Sequence, residues 1–102
     1  IIRDAHLIEI NPGFDLIKIG RNLDNHIFLM DGFVSRKHAE LKKEGNNWFI
    51  TNLAKKSPAY IKRKKGLIFK EEVEIYIAGP TRINQGDEII FGPNTILKVV
   101  SL

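Results

Sequence analysis

Three short stretches of this sequence concentrate groups that bind anions. Arg21 follows Gly20 at the end of an apolar run, Ser35-Arg36-Lys37-His38 opens an amphipathic one, and Lys55-Lys56-Ser57 lies between two others. Together they offer a guanidinium fork, hydroxyls, further cations and loop N–H groups. That donor set suits a dianionic phosphate, with arginine supplying a planar bidentate geometry that lysine lacks. Catalytic chemistry has far less to work with. Ser35 and His38 are three residues apart, but Arg36 and Lys37 stand where a nucleophile elbow needs small residues, and no oxyanion-hole glycine motif accompanies them. The acids are scattered or paired as in Glu71-Glu72 and Asp87-Glu88, so no working carboxylate dyad is expected. His6, His26 and His38 have no spacing that brings two to one metal. Cysteine is absent, which removes disulfides, thiolate metal sites and thiol nucleophiles together. Neither a P-loop nor a dinucleotide fingerprint is present. The pattern points to a binding protein without catalytic residues, metal or cofactor.

The elements that must position these groups read as strands. Turn chemistry recurs at Asn11-Pro12-Gly13, Leu23-Asp24-Asn25, Asp31-Gly32, Glu44-Gly45-Asn46-Asn47, Asn84-Gln85-Gly86-Asp87 and Gly92-Pro93-Asn94. The segments between are rich in Ile, Val, Phe, Trp and Thr, which fit a pleated surface. Alternation is clearest in Ala39-Glu40-Leu41-Lys42 and Val73-Glu74-Ile75-Tyr76-Ile77. Trp48-Phe49-Ile50 and Thr95–Val100 look buried on both faces. Leu67–Ile77 is long enough for a helix, but its β-branched residues oppose one. Lys62–Gly66 reads as a loop inside the domain. The expected fold is all-β: a sandwich of two antiparallel twisted sheets with the binding loops at one end.

At 102 residues, 43% hydrophobic and 27% charged, the chain suffices for one globular domain, residues 1–102, with a single core. Its start at Ile1, without initiator Met or signal pattern, reads as a fragment of a longer protein. Apolar runs such as Ile27–Met30 stop at four residues, so no segment is expected to insert across a membrane. The net charge of +4 comes entirely from residues 51–102, where Lys55, Lys56, Lys62, Arg63, Lys64 and Lys65 follow one another without an acid. Such a field favours an anionic partner, whether phosphorylated protein, nucleic acid or membrane surface, unless it is simply a solvated basic loop.

In this order the motifs resemble the forkhead-associated (FHA) domain, a phosphothreonine-recognising β-sandwich. The matching pieces are Ile19-Gly20-Arg21, Ser35-Arg36-Lys37-His38-Ala39-Glu40-Leu41, Trp48-Phe49-Ile50-Thr51-Asn52-Leu53, and Ile83-Asn84-Gln85-Gly86-Asp87-Glu88-Ile89-Ile90-Phe91-Gly92, within a stretch from Ile17 to Val100. The resemblance implies that Arg21 binds the phosphate, that the Ser35 hydroxyl donates to it and that Arg36 reaches the same group. It further implies that His38 ties the binding loops together, and that Gly20 permits a sharp turn beside the ligand through its tolerance of positive φ. Gly86, Asp87 and Gly92 would shape the late hairpin, and Phe33 would sense the residue three beyond the phosphothreonine.

One stretch departs from the family. Ser57-Pro58 stands where members usually carry Asn-Gly, whose Asn holds the peptide main chain, so that clamp is expected to be weaker here. Lys56, where a small hydroxyl residue often helps bind phosphate, would compensate in part. Arg63–Pro80 looks longer than usual, through an added hairpin. The resemblance implies a phosphothreonine-containing protein or peptide as partner and an intracellular location, in the cytoplasm first with the nucleus left open. The alternative is a phosphate-independent interaction module on the same fold, with nucleic acid ranked last because few aromatics sit among the lysines.

Overall fold

The computed structural model describes residues 4–9, 13–93 and 95–102; the turn residues Asn11 and Pro12, and Asn94 in the late turn, lie outside that set. Where apolar and polar residues alternate, the chain extends into strands. In order these are β1 (Asp4–Glu9), β2 (Leu16–Gly20), β3 (Ile27–Phe28), β4 (Ala39–Glu44), β5 (Asn47–Asn52), β6 (Tyr60–Lys65), β7 (Glu71–Tyr76), β8 (Thr81–Ile83), β9 (Glu88–Ile90) and β10 (Thr95–Ser101). They form two five-stranded sheets, β1-β10-β9-β6-β7 and β3-β2-β4-β5-β8. The core lies between them. Ile17, Ile19, Leu41, Trp48 and Ile50 from one sheet, with Ile61, Ile89, Leu97 and Val99 from the other, are all buried. The all-β sandwich expected from the sequence is the fold.

Three local expectations are corrected. The sheets are mixed, because β1 pairs with β10 and β2 with β3 in parallel. Neither pair is a hairpin, and hairpin turns are what short-range sequence signals report. β10 is buried on one face only: Thr95, Leu97 and Val99 point inward while Lys98 and Val100 are exposed, since no third layer covers the outer face. Lys62–Lys65 is strand, not loop. Opposite it on β7 stand Glu74, Val73, Glu72 and Glu71, so cross-strand charge pairing offsets the poor strand propensity of lysine. This β6–β7 hairpin occupies the long Arg63–Pro80 stretch. It also divides the basic run: Lys55 and Lys56 precede β6, while Lys64 and Lys65 end it, roughly 20 Å away for six extended residues.

Arg63 is not a free cation. Its Nε donates to Asp87 Oδ1 at 2.9 Å and its Nη2 to Asp87 Oδ2 at 2.7 Å and to the Arg82 carbonyl at 3.0 Å. Asp87 is 1% exposed and also accepts the Asn84 amide at 2.7 Å. Hydrogen bonding to Asp87 pushes the Arg63 pKa up, against the opposing effect of burial. The pair fastens β6 to the β8–β9 turn, and β8 belongs to the opposite sheet. Arg63→Ala would leave a buried carboxylate without its cation, a loss of about 3 kcal/mol. For a domain this size that lowers Tm by roughly 10–20 °C. Thermal unfolding of Arg63→Ala, and of Arg63→Met combined with Asp87→Asn, checks this; the double variant is expected to lose less than the single one.

Candidate functional site

Gly20, the last residue of β2, is fully buried under the β3–β4 loop. A Cβ there would stand 2.1 Å from the carbonyl oxygen of Arg36, an impossible approach. Among the described residues only Gly45, Gly66 and Gly86 have positive φ. Glycine at position 20 therefore serves close approach of two backbones, not the turn conformation expected from the sequence. Asn25 completes the contact, its amide donating to Arg36 O at 2.8 Å and to Asn22 O at 2.9 Å.

With the loop seated on Gly20, Arg21 and Ser35 become neighbours. The Arg21 amide donates to the Ser35 carbonyl at 3.0 Å. Its Nε donates to Val34 O, also at 3.0 Å, which fixes the exposed guanidinium by one edge and leaves the terminal nitrogens available. Neither recorded ion pair among the described residues involves Arg21, Arg36 or Lys56. The side chains of Arg36 and Lys37 are exposed on the same loop.

His38, fully buried, carries this loop to the next. Its Nδ1 accepts the backbone N–H of Ser35 at 3.0 Å, and its Nε2 lies 3.1 Å from Ser57 O. Those partners require the neutral tautomer with hydrogen on Nε2. Its own carbonyl accepts the amides of Leu53 and Ala54, and its ring meets Phe91 edge-on at 5.1 Å. The lone pair is thus spent on the Ser35 amide, not the Ser35 hydroxyl, and no nucleophile–base pair forms. Arg21, Ser35, His38 and Ser57 lie along one chain of hydrogen bonds.

Asn52 adds a second hold on the β5–β6 loop, its amide donating to Ala54 O at 3.3 Å and Ser57 O at 3.2 Å. With its carbonyl engaged twice, Ser57 is set against a groove of about 290 Å³. Phe33, Lys56, Ser57, Pro58, Tyr60 and Phe91 are among its lining. Phe33 is projected by an aspartate-capped turn: Asp31 Oδ1 accepts the Phe33 amide at 2.9 Å, and Thr95 donates to the other oxygen. Both bonds hold the Asp31 carboxyl below its ordinary pKa, the Thr95 hydroxyl contributing most. Asn25, Asn52 and Asp31 were not singled out from the sequence for support of the site. Their signal was generic, since Asn and Asp in loops bond nearby backbone wherever a turn needs it. Chemically, the site presents cationic and neutral hydrogen-bond donors, an arrangement suited to binding an anion.

The family model described as FHA domain matches residues 17–92. The FHA domain-containing protein FhaB of Mycolicibacterium smegmatis is 30% identical over 77 residues, covering 76% of this chain and 48% of that protein. FhaB of Mycobacterium tuberculosis is 30% identical over 69 residues, covering 68% and 43%. The matched part of this chain thus spans about half the length of these relatives, or less. Two solved structures share the fold. The FhaA FHA domain, complexed with the intracellular domain of another protein, has a TM-score of 0.56 at 23% identity, covering 76% of this chain and 71% of that one. Mycobacterium tuberculosis EmbR, in complex with a low-affinity phosphopeptide, has a TM-score of 0.58 at 24% identity, covering 86% and 21%.

The state of His38 makes stability pH-dependent. Burial lowers its pKa below 6.5, opposed by the bond to Ser57. As pH falls through about 6.5 the unfolded chain takes up a proton that the folded chain refuses, so stability declines, by at most about 1.4 kcal/mol per pH unit. The decline ends once the folded form is protonated as well, and above neutral pH the group adds no slope. Denaturant unfolding from about pH 8 down to about pH 5 measures this. His38→Asn is expected to be less stable throughout and to lose this component of the slope.

Proposed function

This chain belongs to the FHA-domain family, and on that premise we propose that it is a non-enzymatic phosphopeptide-binding module that reads phosphothreonine in a partner protein. The observation that carries the reading is the pairing of Arg21 with Ser35. The two are joined through their backbones at 3.0 Å, and the guanidinium is tethered through Nε with no ion-pair partner among the described residues. In this reading the Arg21 terminal nitrogens and the Ser35 hydroxyl meet the phosphate. Arg36 and Lys56 add charge, Ser57 meets the peptide main chain, and Gly20 and His38 hold the loops in place. The complex of EmbR with a phosphopeptide supports the same use of the fold.

The energies are sufficient. A phosphothreonine brings about −1.5 to −2 charges, and each charge-assisted hydrogen bond contributes roughly 1.5–3 kcal/mol. Three or four such bonds supply about 5–12 kcal/mol before ordering and desolvation are subtracted, and the upper part of that range, with peptide main-chain contacts added, reaches the roughly 8 kcal/mol of near-micromolar affinity. With an unmodified hydroxyl most of that attraction disappears. The apolar groove beside Phe33 and Pro58 suits an apolar side chain three residues beyond the phosphothreonine. A partner of this kind places the module inside the cell, in cytoplasm or nucleus.

A second reading, a phosphate-independent interaction module, is favoured by Ser57-Pro58 in place of Asn-Gly. Nucleic acid is less favoured still, because the basic run is divided between two ends of the sandwich.

Calorimetric titration with matched phosphothreonine, phosphoserine and unphosphorylated peptides separates these readings. The expected outcome is near-micromolar binding of the phosphothreonine peptide, weaker binding of phosphoserine and none of the unmodified form. Arg21→Ala and Ser35→Ala each weaken the phosphopeptide at least about tenfold, as expected for a lost bond to a charged group. Lys56→Ala costs a smaller factor, about three- to fivefold. Equal affinity for phosphorylated and unmodified peptides, unchanged by Arg21→Ala, favours the second reading.

A further inference from the structure

The β6–β7 hairpin ends in a tip that nothing in the phosphopeptide reading uses. Leu67, Ile68 and Phe69 are consecutive and 100%, 86% and 88% exposed. Folded domains rarely leave three large apolar side chains together in water without use. The tip is held in this form by its backbone. Gly66 has φ +110°, and a Cβ there would stand 2.3 Å from the Phe69 carbonyl oxygen, so only glycine lets the loop close with its side chains turned outward.

Cations surround the tip. Lys64 and Lys65 precede it and Lys70 follows, all exposed. At its foot, Arg63, Lys64, Lys65, Lys70, Asn84 and the Asp87 carboxylate are among the lining of a polar hollow of about 550 Å³. Arg63 is consumed by Asp87, and Lys62 lies 3.9 Å from Glu72. Among the described residues no ion pair takes Lys64, Lys65 or Lys70, and these three outnumber Glu71 and Glu72, the acids that stand across the hairpin from Lys65 and Lys64.

We propose that this hairpin is a peripheral docking element for an anionic membrane surface. Leu67, Ile68 and Phe69 seat at the headgroup–acyl boundary while Lys64, Lys65 and Lys70 contact acidic headgroups, one of which the adjacent hollow accepts. The occupant follows from shape and charge. The tip is a convex protrusion of three residues, a few hundred Å² at most, short of the ~800 Å² per partner in a stable protein interface. A bilayer accepts a small apolar wedge without a matching pocket, and basic residues beside an apolar surface are the pattern of interfacial membrane contact. The contact is superficial and spans nothing.

Co-sedimentation with vesicles tests it, using equimolar phosphatidylcholine and phosphatidylserine against phosphatidylcholine alone. The protein is expected to pellet with the anionic vesicles and to remain in the supernatant with the neutral ones. Binding should weaken as salt rises. Leu67→Ser, Ile68→Ser and Phe69→Ser combined should weaken binding at least about tenfold. Lys64→Gln, Lys65→Gln and Lys70→Gln combined should do the same, at about fivefold per charge near the surface. The serine variant changes only exposed side chains outside the strands and should keep the parent's thermal midpoint. The glutamine variant also removes the cross-strand charges of Lys64 and Lys65 and should melt slightly lower while staying folded; both midpoints are measured alongside. The proposal is overturned if the parent ignores anionic vesicles, or if the serine variant binds them as well as the parent. It is equally overturned if the tip instead drives self-association in solution that the serine variant abolishes.

Discussion

The His38 ring accepts a hydrogen bond from the Ser35 amide at one nitrogen and donates to the Ser57 carbonyl from the other, and the binding end is organised around that bridge. A neutral imidazole suits the task because its donor and acceptor lie on opposite edges of a rigid ring. An asparagine or glutamine places both at the same end. Full burial then reinforces the choice: a buried charge is costly, so the neutral form persists, and only the neutral form can accept from one loop while donating to the other. Phe91 against the ring edge holds its plane. The placement of the Ser35 backbone beside Arg21 therefore depends on a side chain buried beneath both loops.

Two arginines show how environment divides one residue type into two roles. Arg63 sets the Nε–Nη2 edge of its guanidinium side-on against a buried carboxylate and is structural. Arg21 gives up only Nε to a carbonyl and leaves the rest of its fork outward. Nothing in the one-dimensional sequence distinguishes them; Arg63 even sits in the most basic stretch of the chain. The distinction arises because β6 lies beside β9 in the sheet, which carries Arg63 to Asp87 across a large separation in sequence.

That contrast marks what was legible in the sequence. Period-two alternation in Ala39–Lys42 was read correctly because its cause is local: one face packs on a core and the other meets water. The loop motifs likewise pointed to residues that the fold brings together, since Arg21, Ser35 and Ser57 each sit beside turn chemistry. The parallel pairings of β1 with β10 and of β2 with β3 left no local trace. The strand character of Lys62–Lys65 depends on acids across the hairpin, so a window centred on the lysines saw only polarity. At Gly20 the sequence suggests a turn conformation, whereas what requires glycine there is a neighbour in space, the Arg36 carbonyl, that belongs to another loop.

The sandwich also sets how the two ends of the molecule relate. Six extended residues of β6 separate the Lys56–Ser57 loop from the Lys65 end of the hairpin by roughly 20 Å. The Debye length at physiological salt is about 8 Å, so exposed charges at one end are largely screened from those at the other. A phosphate held near Arg21 therefore neither competes with nor assists an anionic contact at Lys64, Lys65 and Lys70. Because β6 runs from one end to the other, a surface meeting the hairpin tip leaves the Arg21–Ser35 loops facing away from it. Under the two proposals, the strand pair that first looks like an overlong, overcharged connection sets the second anion contact at the end of the domain away from the first.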